Sequence, residues 1–438
     1  MHLIQQVLFI LIFIIAVYLF TRKVRQIRRN IFLGKKKVIN DHKRERWRNV
    51  LLLAFGQKKM FRNWIPAILH FFVYAGFIII NIEIIEIILD GLTGQHRMFS
   101  PLLGPVYNVL IGCFEILAVL VILGCAIFLI RRNILKVRRF QNREMTHWPK
   151  SDANYILIME IILMLLFLTM NTTDRELQLR HIVHYTQTGP FWISALLAPL
   201  FDHTQNVTLI GLERGAWWLH ITGVLFFLNY LPYSKHFHII LAFPNSYYAD
   251  LEPKGKMDNM PVIENEVRLM FEPAPSDQTN AAPPPERFAA KDAMDLTWEN
   301  LMDAYTCTEC GRCTAACPAN QTGKLLSPRK IMMDTRDRME EIGRQINKNG
   351  KFESDGKTLL YDYITPEELW ACTTCNACVE ECPVSIKPLD IILQLRRSLV
   401  MDDATAPAEW NAMFSNIENN RAPWKFPPED REKWREEG

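Results

Sequence analysis

The chain has 438 residues, of which 49% are hydrophobic and 22% charged, with a formal net charge of +3. Long apolar runs and clustered cysteines exclude a disordered, a collagen-like and a disulfide-scaffold protein. These averages conceal two chemically different halves, because apolar runs of about 20 residues lie only before residue 245. The polar half contains eight of the ten cysteines, in a pattern that indicates metal binding in a reducing compartment.

The first half predicts a membrane domain over residues 1–248. Its apolar segments are each long enough to cross a hydrocarbon core of about 30 Å. The five segments lie at residues 3–21, 64–89, 105–130, 154–171 and 215–241. We therefore expect a five-helix transmembrane bundle.

The charges between these segments predict the orientation of the bundle. Residues 22–62 carry 15 Lys and Arg, and residues 131–150 carry seven, whereas the 90–104 loop carries only Arg97. Basic loops stay in the cytoplasm, and a basic cluster after the first segment is the reverse of a cleavable signal peptide. The N-terminus is expected outside, and the polar half in the cytoplasm.

The second half predicts a linker, a helical domain and a tail. Residues 249–292 include Pro-rich stretches at 273–275 and 283–285, which favour extended backbone. Helix-start signals such as Ser327-Pro328 predict a mostly α-helical domain over residues 293–404. Residues 405–438 form the tail. The expected fold class is all-α throughout.

Two cysteine runs carry the most specific signal in the chain. They share the spacing C-x2-C-x2-C-x3-C followed by proline, which is the bacterial pattern for [4Fe–4S] clusters. The runs are Cys307, Cys310, Cys313, Cys317 and Cys372, Cys375, Cys378, Cys382. The fourth cysteine of each run ligates the other cluster in such domains, so Cys382 is assigned to the first cluster and Cys317 to the second.

A pair of zinc sites is the alternative interpretation of these runs. Structural zinc sites prefer ligands in two C-x2-C pairs, whereas here four cysteines form one tight run, twice. The remaining Cys113 and Cys125 lie apart in the third apolar segment and are interpreted as packing residues.

Histidines are rare in membrane helices and are therefore functional candidates. His70 lies near the start of the second segment, and His220 and His238 lie 18 residues apart in the fifth. On one continuous helix this spacing places both on the same face, about 27 Å apart, with His236 turned away. Because two imidazoles from facing helices can hold a b-type haem, His70 and His238 are predicted as one ligand pair. His220 is predicted to bind a second haem; the alternative is that these histidines are structural.

Acidic residues also lie inside the predicted spans. They are Glu83, Glu86, Glu115 and Glu160. Buried acids are costly unless paired or hydrated. They are therefore candidates for proton exchange with a quinol, or else side chains that reach the membrane interface.

The membrane half resembles the gamma (cytochrome b) subunit of respiratory nitrate reductase. The resemblance is closest from Trp218-Leu-His220 through Pro232 to His238. It implies that this segment provides one ligand to each of two haems. The family's second helix carries two histidines ten residues apart, and here His70 matches the first while Ile80 stands at the second. The second ligand of the His220 haem is therefore unassigned.

The polar half resembles the dicluster subunit of heterodisulfide reductase and related subunits of glycolate and glycerol-3-phosphate dehydrogenases. Relatives that fuse both halves are membrane iron–sulfur oxidoreductases proposed to link electron-transfer flavoprotein to menaquinone. Those fusions usually continue into a cysteine-rich domain, and no cysteine follows Cys382 here. We therefore expect a separate cysteine-rich, heterodisulfide reductase-like subunit that docks on residues 405–438.

Together these observations predict an electron-transfer subunit of the bacterial inner membrane. Two [4Fe–4S] clusters and one or two b-type haems would connect a cytoplasmic flavoprotein or dehydrogenase with the quinone pool, with menaquinone as the expected quinone. The alternative is a membrane-tethered ferredoxin without haem that acts as a redox anchor or sensor. A nucleic-acid partner is not expected.

Overall fold

The computed structural model describes residues 3–185, 187–271, 287–425 and 427–436. Within these residues the chain is helical and has only isolated β-bridges, which confirms the predicted helical fold. The helices of the first half are α1 Leu3–Ile31, α2 Lys43–Asn49, α3 Trp64–Thr93, α4 Phe99–Leu103, α5 Pro105–Asn133, α6 Trp148–Leu179, α7 Ser194–Leu197, α8 Asn206–Tyr230 and α9 His238–Tyr248. Those of the second half are α10 Pro261–Phe271, α11 Trp298–Thr306, α12 Arg312–Ala316, α13 Pro318–Gln321, α14 Pro328–Asn349, α15 Pro366–Trp370, α16 Ala377–Glu381, α17 Pro388–Arg397 and α18 Ala408–Asn420.

Four helices in the described part of the chain, α1, α3, α5 and α6, are long and apolar enough to cross a membrane. α8 has 25 residues, but Glu213, Arg214 and the polar residues at its two ends reduce its apolar character. It nevertheless packs along α6 and against α1, as a member of the same bundle. We call α1, α3, α5, α6 and α8 the bundle; its four apolar helices are observed, and a fifth span stays a prediction.

The prediction of one continuous helix over residues 215–241 is wrong. α8 ends at Tyr230, and short 3-10 turns follow at Leu231–Tyr233 and Lys235–Phe237 before α9 begins. Pro232 has no N–H to continue the helical ladder. Ser234 is extended, and its hydroxyl accepts a hydrogen bond from the His236 N–H at 3.0 Å. His220 and His238 therefore lie on different helices, and the inference that they share one face does not hold.

The second half packs against one end of the bundle. We call residues 287–404 the cysteine domain. At the C-terminal end of α1, Asn30 donates a hydrogen bond to the Tyr305 hydroxyl at 3.0 Å, and Arg29 donates to the Gly343 carbonyl at 3.0 Å. Gly343 is needed at this point because a Cβ atom there would collide with the Asn30 side chain. The ends of α1 and α5 that precede the basic loops thus face the cysteine domain.

A buried ion pair joins the basic loop after α5 to this domain. The guanidinium of Arg329 is fully buried and lies 2.7 Å from the Glu144 carboxylate. Ser327 also donates a hydrogen bond to Glu144, at 2.5 Å. Burial by itself raises the pKa of Glu144, but Arg329 and Ser327 together hold that pKa below its usual range. The pair therefore stays charged at neutral pH.

The first part of the predicted linker packs on the cysteine domain. Asp250 pairs with Lys387, and Lys254 pairs with Glu380. Residues 272–286, which include the Pro-rich stretches, lie outside the described residues. Only that stretch is still a candidate for an unpacked linker, and the domain boundaries themselves stay a prediction.

Replacing Glu144 by alanine is expected to weaken the junction between the bundle and the cysteine domain. The substitution leaves the buried Arg329 charge without its partner, a change that costs about 3–5 kcal/mol. We expect a clearly lower midpoint temperature of thermal unfolding, measured as the loss of visible absorbance of the predicted cofactors. Glu353→Ala is the control, because Glu353 forms only an exposed pair with Lys351 and such pairs contribute about 0–1 kcal/mol. Equal effects of the two substitutions would contradict the role of the buried pair.

Candidate metal centres

The two cysteine runs adopt the same local structure. In the first run, Glu309 and Gly311 have positive φ values of 54° and 72°, and α12 follows directly. In the second, Thr374 and Asn376 have φ values of 54° and 59°, and α16 follows. These left-handed residues fold each run into a tight loop whose first three cysteines line one cavity. The duplication seen in the sequence is therefore a duplication of structure.

The fourth cysteine of each run lies with the first three of the other. One cavity is lined by Cys317 together with Cys372, Cys375 and Cys378. A second, larger cavity is lined by Cys307, Cys310, Cys313 and Cys382, and Cys378 lines this cavity as well. α12 packs against α16, and this contact brings the two runs together. The arrangement is the crosswise one that the spacing predicts; iron ligation by these residues stays a prediction.

The arrangement of these cysteines suits a cluster better than a single ion. Among the described residues, no three His, Cys, Asp or Glu side chains converge as a mononuclear metal site requires. The cysteines instead surround spaces from several sides. The zinc alternative therefore gains no support from their geometry.

The environment of the thiols determines their chemistry in the absence of metal. Burial raises the pKa of Cys307 to about 12 and that of Cys378 to about 12. Such thiols are protonated at neutral pH and are poor nucleophiles. Because only thiolates bind iron, cluster assembly must release these protons. Cys307 and Cys378 are thus unreactive thiols unless metal displaces their protons.

The larger cavity lies between the cysteine domain and the bundle and has a volume of about 420 Å³. Besides the cysteines, it is lined by His70 from α3, His238 from α9 and Glu160 from α6. His236 also lines it, and its ring centroid is 5.5 Å from that of His238. The prediction that His236 faces away is therefore wrong, because the break after α8 redirects the chain.

The hydrogen bonds of His70 and His238 favour metal binding through Nε2. Nδ1 of His238 is 3.0 Å from the Lys235 carbonyl, which can only accept a hydrogen bond. Nδ1 of His70 is 3.1 Å from the side-chain oxygen of Gln57. In each neutral ring Nδ1 therefore carries the proton, and Nε2 keeps a free lone pair. This is the arrangement in which a protein orients histidine ligands.

His220 lies apart from this cavity, inside the bundle. It is fully buried, and its Nδ1 donates a hydrogen bond to the Leu163 carbonyl at 2.9 Å. Its Nε2 has no hydrogen-bond partner in the described structure. An unpartnered nitrogen of this kind fits a ligand to a bound group, but the structure does not identify the second ligand of that group.

The acids predicted in the spans have different environments. Glu86 accepts hydrogen bonds from the Tyr107 hydroxyl and the Phe99 N–H, each at 2.8 Å. Glu115 accepts from the Ile193 N–H at 2.8 Å and is also bonded to the Ser194 hydroxyl. Both are buried in hydrogen-bond networks, and that they lie at the level of the membrane interface stays a prediction. Glu83 is buried with one unpartnered oxygen.

Glu160 differs from the other three acids because it lines the large cavity. Within the described parts of α3, α5 and α6, it is the one acidic side chain that does so. It therefore remains the strongest candidate for proton exchange.

Residues 306–386 match the family model described as a 4Fe-4S dicluster domain. The chain is also similar to a probable iron–sulfur-binding oxidoreductase, FadF, of Bacillus subtilis, with 29% identity over 98% of the chain and 60% of the relative. The chain is also similar to an EtfAB:quinone oxidoreductase of Syntrophomonas wolfei, with 26% identity over 88% of the chain and 53% of the relative.

The cysteine domain has a further relative in one subunit of a CoB-CoM heterodisulfide reductase of Methanosarcina acetivorans, which is 35% identical over 27% of the chain and 60% of the relative. No solved structure matches the chain. The chain spans less than two thirds of the length of each of these three relatives. The predicted relation to iron–sulfur oxidoreductases and heterodisulfide reductase is thus confirmed, whereas the relation to cytochrome b stays a prediction.

Cys317→Ser and Cys375→Ser are expected to alter the same cluster signal. Both residues line one cavity, although they belong to different runs. Electron paramagnetic resonance (EPR) of the reduced protein should show the same signal changed in both variants and the other signal retained. Cys113→Ser, in α5 and outside both cavities, is the control and should retain both signals. If Cys317→Ser and Cys375→Ser altered different EPR signals, crosswise ligation would be excluded.

Proposed function

We propose that this chain is a membrane-bound electron-transfer protein that connects a reduced cytoplasmic partner with the quinone pool. One observation carries the proposal. The cavity that contains Cys307, Cys310, Cys313 and Cys382 also contains His70 and His238. Candidate ligands of an iron–sulfur cluster and of a haem therefore line one cavity, with no soluble carrier needed between them.

The cysteines are proposed to hold two [4Fe–4S] clusters, each of which supplies one-electron transfer when bound. The cavity lined by Cys317, Cys372, Cys375 and Cys378 is taken as the outer site, since Cys375 is exposed and the other cavity is also lined by residues of the bundle. The chain thus offers an outer site accessible to a partner and an inner site against the bundle. The proposed electron path runs from the outer site to the inner site and then to the histidine pair.

His70 and His238 are proposed as the axial ligands of a b-type haem, which supplies a further one-electron site when bound. Their Nδ1 hydrogen bonds fix each ring in the tautomer that leaves Nε2 free. His220, with its unpartnered Nε2, is proposed as a ligand of a second haem deeper in the bundle. The haem count is accordingly one or two.

The acceptor is proposed to be a quinone. A relative is named an EtfAB:quinone oxidoreductase, and the resemblance of the two fused halves implies menaquinone. Reduction of a quinone requires protons as well as electrons, and Glu160 projects a carboxyl group into the cavity from α6. We propose that Glu160 exchanges these protons. The donor is proposed to be an electron-transfer flavoprotein or a flavin dehydrogenase.

The location is proposed to be the bacterial inner membrane, with the N-terminus outside and the cysteine domain in the cytoplasm. The basic loops at residues 22–62 and 131–150 lie on the side of the cysteine domain, as Lys59 and Glu144 illustrate through their contacts with Cys382 and Arg329. The positive-inside rule assigns that side to the cytoplasm.

Residues 405–438 are proposed to contact the partner, for which a cysteine-rich subunit is one candidate. In α18, Trp410 packs on Trp370 with 4.8 Å between ring centroids. Phe414 and Ile417 are exposed on the same helix. The helix is thus attached to the cysteine domain near the second cysteine run and keeps apolar side chains available for contact.

Composition analysis of protein purified anaerobically in detergent tests the proposal. Two cubes require about eight non-haem irons and eight sulfides per chain, together with one or two b-type haems. Eight irons without haem would overturn the haem-linked path and support the membrane-tethered ferredoxin instead. The haem count also determines whether His220 holds a second haem.

His70→Ala and His238→Ala are each expected to abolish the b-type absorbance of the inner haem, because each removes one axial ligand. The iron–sulfur content should remain at the wild-type value. His42→Ala, which changes an exposed histidine, and His236→Ala should retain the haem. Retention of the full absorbance in the His70 and His238 variants would exclude them as ligands.

Glu160→Gln is expected to slow quinone reduction by roughly 100-fold, the usual scale of general acid–base catalysis. Reduction of the clusters by dithionite should be unchanged, since the substitution is nearly isosteric and leaves every cysteine in place. Glu160→Asp keeps the carboxyl group and should recover part of the rate. If Glu160→Gln turns over at the wild-type rate, the proton-exchange role is wrong.

A further inference from the structure

The two cysteine runs differ in charge at equivalent positions. The residue before the third cysteine is Arg312 in the first run and Ala377 in the second. Each is the first residue of its short helix and follows a left-handed residue, Gly311 or Asn376. The local backbone is therefore the same, and the arginine is a difference in side chain alone.

The Arg312 side chain is buried without a carboxylate partner. It is 6% exposed, and its hydrogen bond is to the backbone carbonyl of Lys59 at 3.3 Å. In the described structure no Asp or Glu forms an ion pair with it, although a buried charge normally requires one. It lines the cavity beside Cys310, Cys313 and His70. A thiolate-ligated cluster in this cavity is one anionic group that would compensate it, and the carboxylates of the proposed haem are another.

Two further cations near this site also lack acidic partners among the described residues. Arg139 lines the same cavity, and its buried Nε has no hydrogen-bond partner. The Lys59 ammonium lies 3.3 Å from the Cys382 carbonyl. Neighbouring Lys235 and Arg336 differ, because Glu309 pairs with both of them. Arg139 and Arg312 in the cavity, and Lys59 beside it, therefore contribute positive charge that no acid pairs with among the described residues. Arg131 and Arg132 line the same cavity and likewise form no ion pair there.

The second site has fewer such charges. Arg396 donates hydrogen bonds to the carbonyls of Leu369 and Cys372, and it is the one cation that the described structure places against this run without an acid. Cys375 is exposed there, so water screens that charge. The two sites thus differ in electrostatic environment.

We propose that Arg312 raises the reduction potential of the first cluster above that of the second. Reduction adds one negative charge to a cluster, and a nearby buried cation stabilises the reduced form more than the oxidised form. Burial of the first cluster acts in the opposite direction, because it disfavours added charge. The proposed order requires that Arg312 and the neighbouring cations outweigh that effect.

The consequence is a direction of flow. Cys317, Cys372, Cys375 and Cys378 would hold the cluster that donates one electron, and Cys307, Cys310, Cys313 and Cys382 would hold the cluster that accepts it, with no proton transferred. A reduced flavin supplies the electrons, and a quinone that takes up two electrons and two protons is the acceptor. The inference rests on the two clusters of the proposed function but does not depend on the haem.

A redox titration of the whole chain in detergent, monitored by EPR, tests this order of the two reduction potentials. The second cluster is assigned by the signal that Cys375→Ser alters. In the wild type the first cluster should be reduced at the higher potential. Arg312→Gln should shift the first cluster to lower potential and leave the second unchanged, whereas Arg312→Lys should stay close to the wild type.

Ala377→Arg is the reciprocal variant and should shift the second cluster to higher potential. Iron and sulfide content confirm that each variant is fully loaded. A wild-type first cluster with the lower potential, or an Arg312→Gln variant with unchanged potentials, would overturn the inference. If the protein lacks haem but the order of the cluster potentials is retained, only the haem part of the proposed function is contradicted. Failure of the inference and failure of the haem assignment are therefore distinguishable.

Discussion

The structure depends on the contact between α12 and α16, the two short helices that follow the cysteine loops. A run of closely spaced cysteines cannot enclose one cube with all four of its sulfurs. The two loops must therefore lie side by side, so that Cys317 reaches the second site and Cys382 the first. The long helix α14 and the helix α17 pack together beside them. The intervening residues thus form a scaffold that holds two distant segments in a single site.

The junction with the bundle is unusual because it is rich in buried charge. Arg329 is fully buried on Glu144, and Lys235 contacts Glu309. Such pairs seldom stabilise more than an apolar contact of the same size would, but removing one partner is costly. They therefore define one orientation of the cysteine domain on the bundle. That orientation matters because the large cavity is formed by both parts.

The electrostatics of this cavity connect structure with function. Paired cations such as Lys235 support the junction, whereas Arg312 and Arg139 remain without acids among the described residues and face the cysteines. A protein that only anchored a cluster would have no need to bury uncompensated cations beside it. Their presence at one site and the alanine at the equivalent position of the other indicate a difference in potential, which is what a directional electron path requires.

The sequence by itself determined the chemistry of the cysteine runs, the helical fold and the apolar helices, because spacing and hydrophobic length are local properties. Cysteine spacing and the helix-start signals at Ser327 and Thr365 correspond to the observed loops and helix starts. His70 and His238 were already predicted as a pair, but only the tertiary structure placed His236 in their cavity and His220 apart from it. Pro232 was visible in the sequence, but the path of the chain after it depends on Ser234 and on packing against the cysteine domain. The isolation of Arg312 could not be predicted either, since whether a buried charge has a partner depends on residues far away in the chain, and those are brought near only by folding.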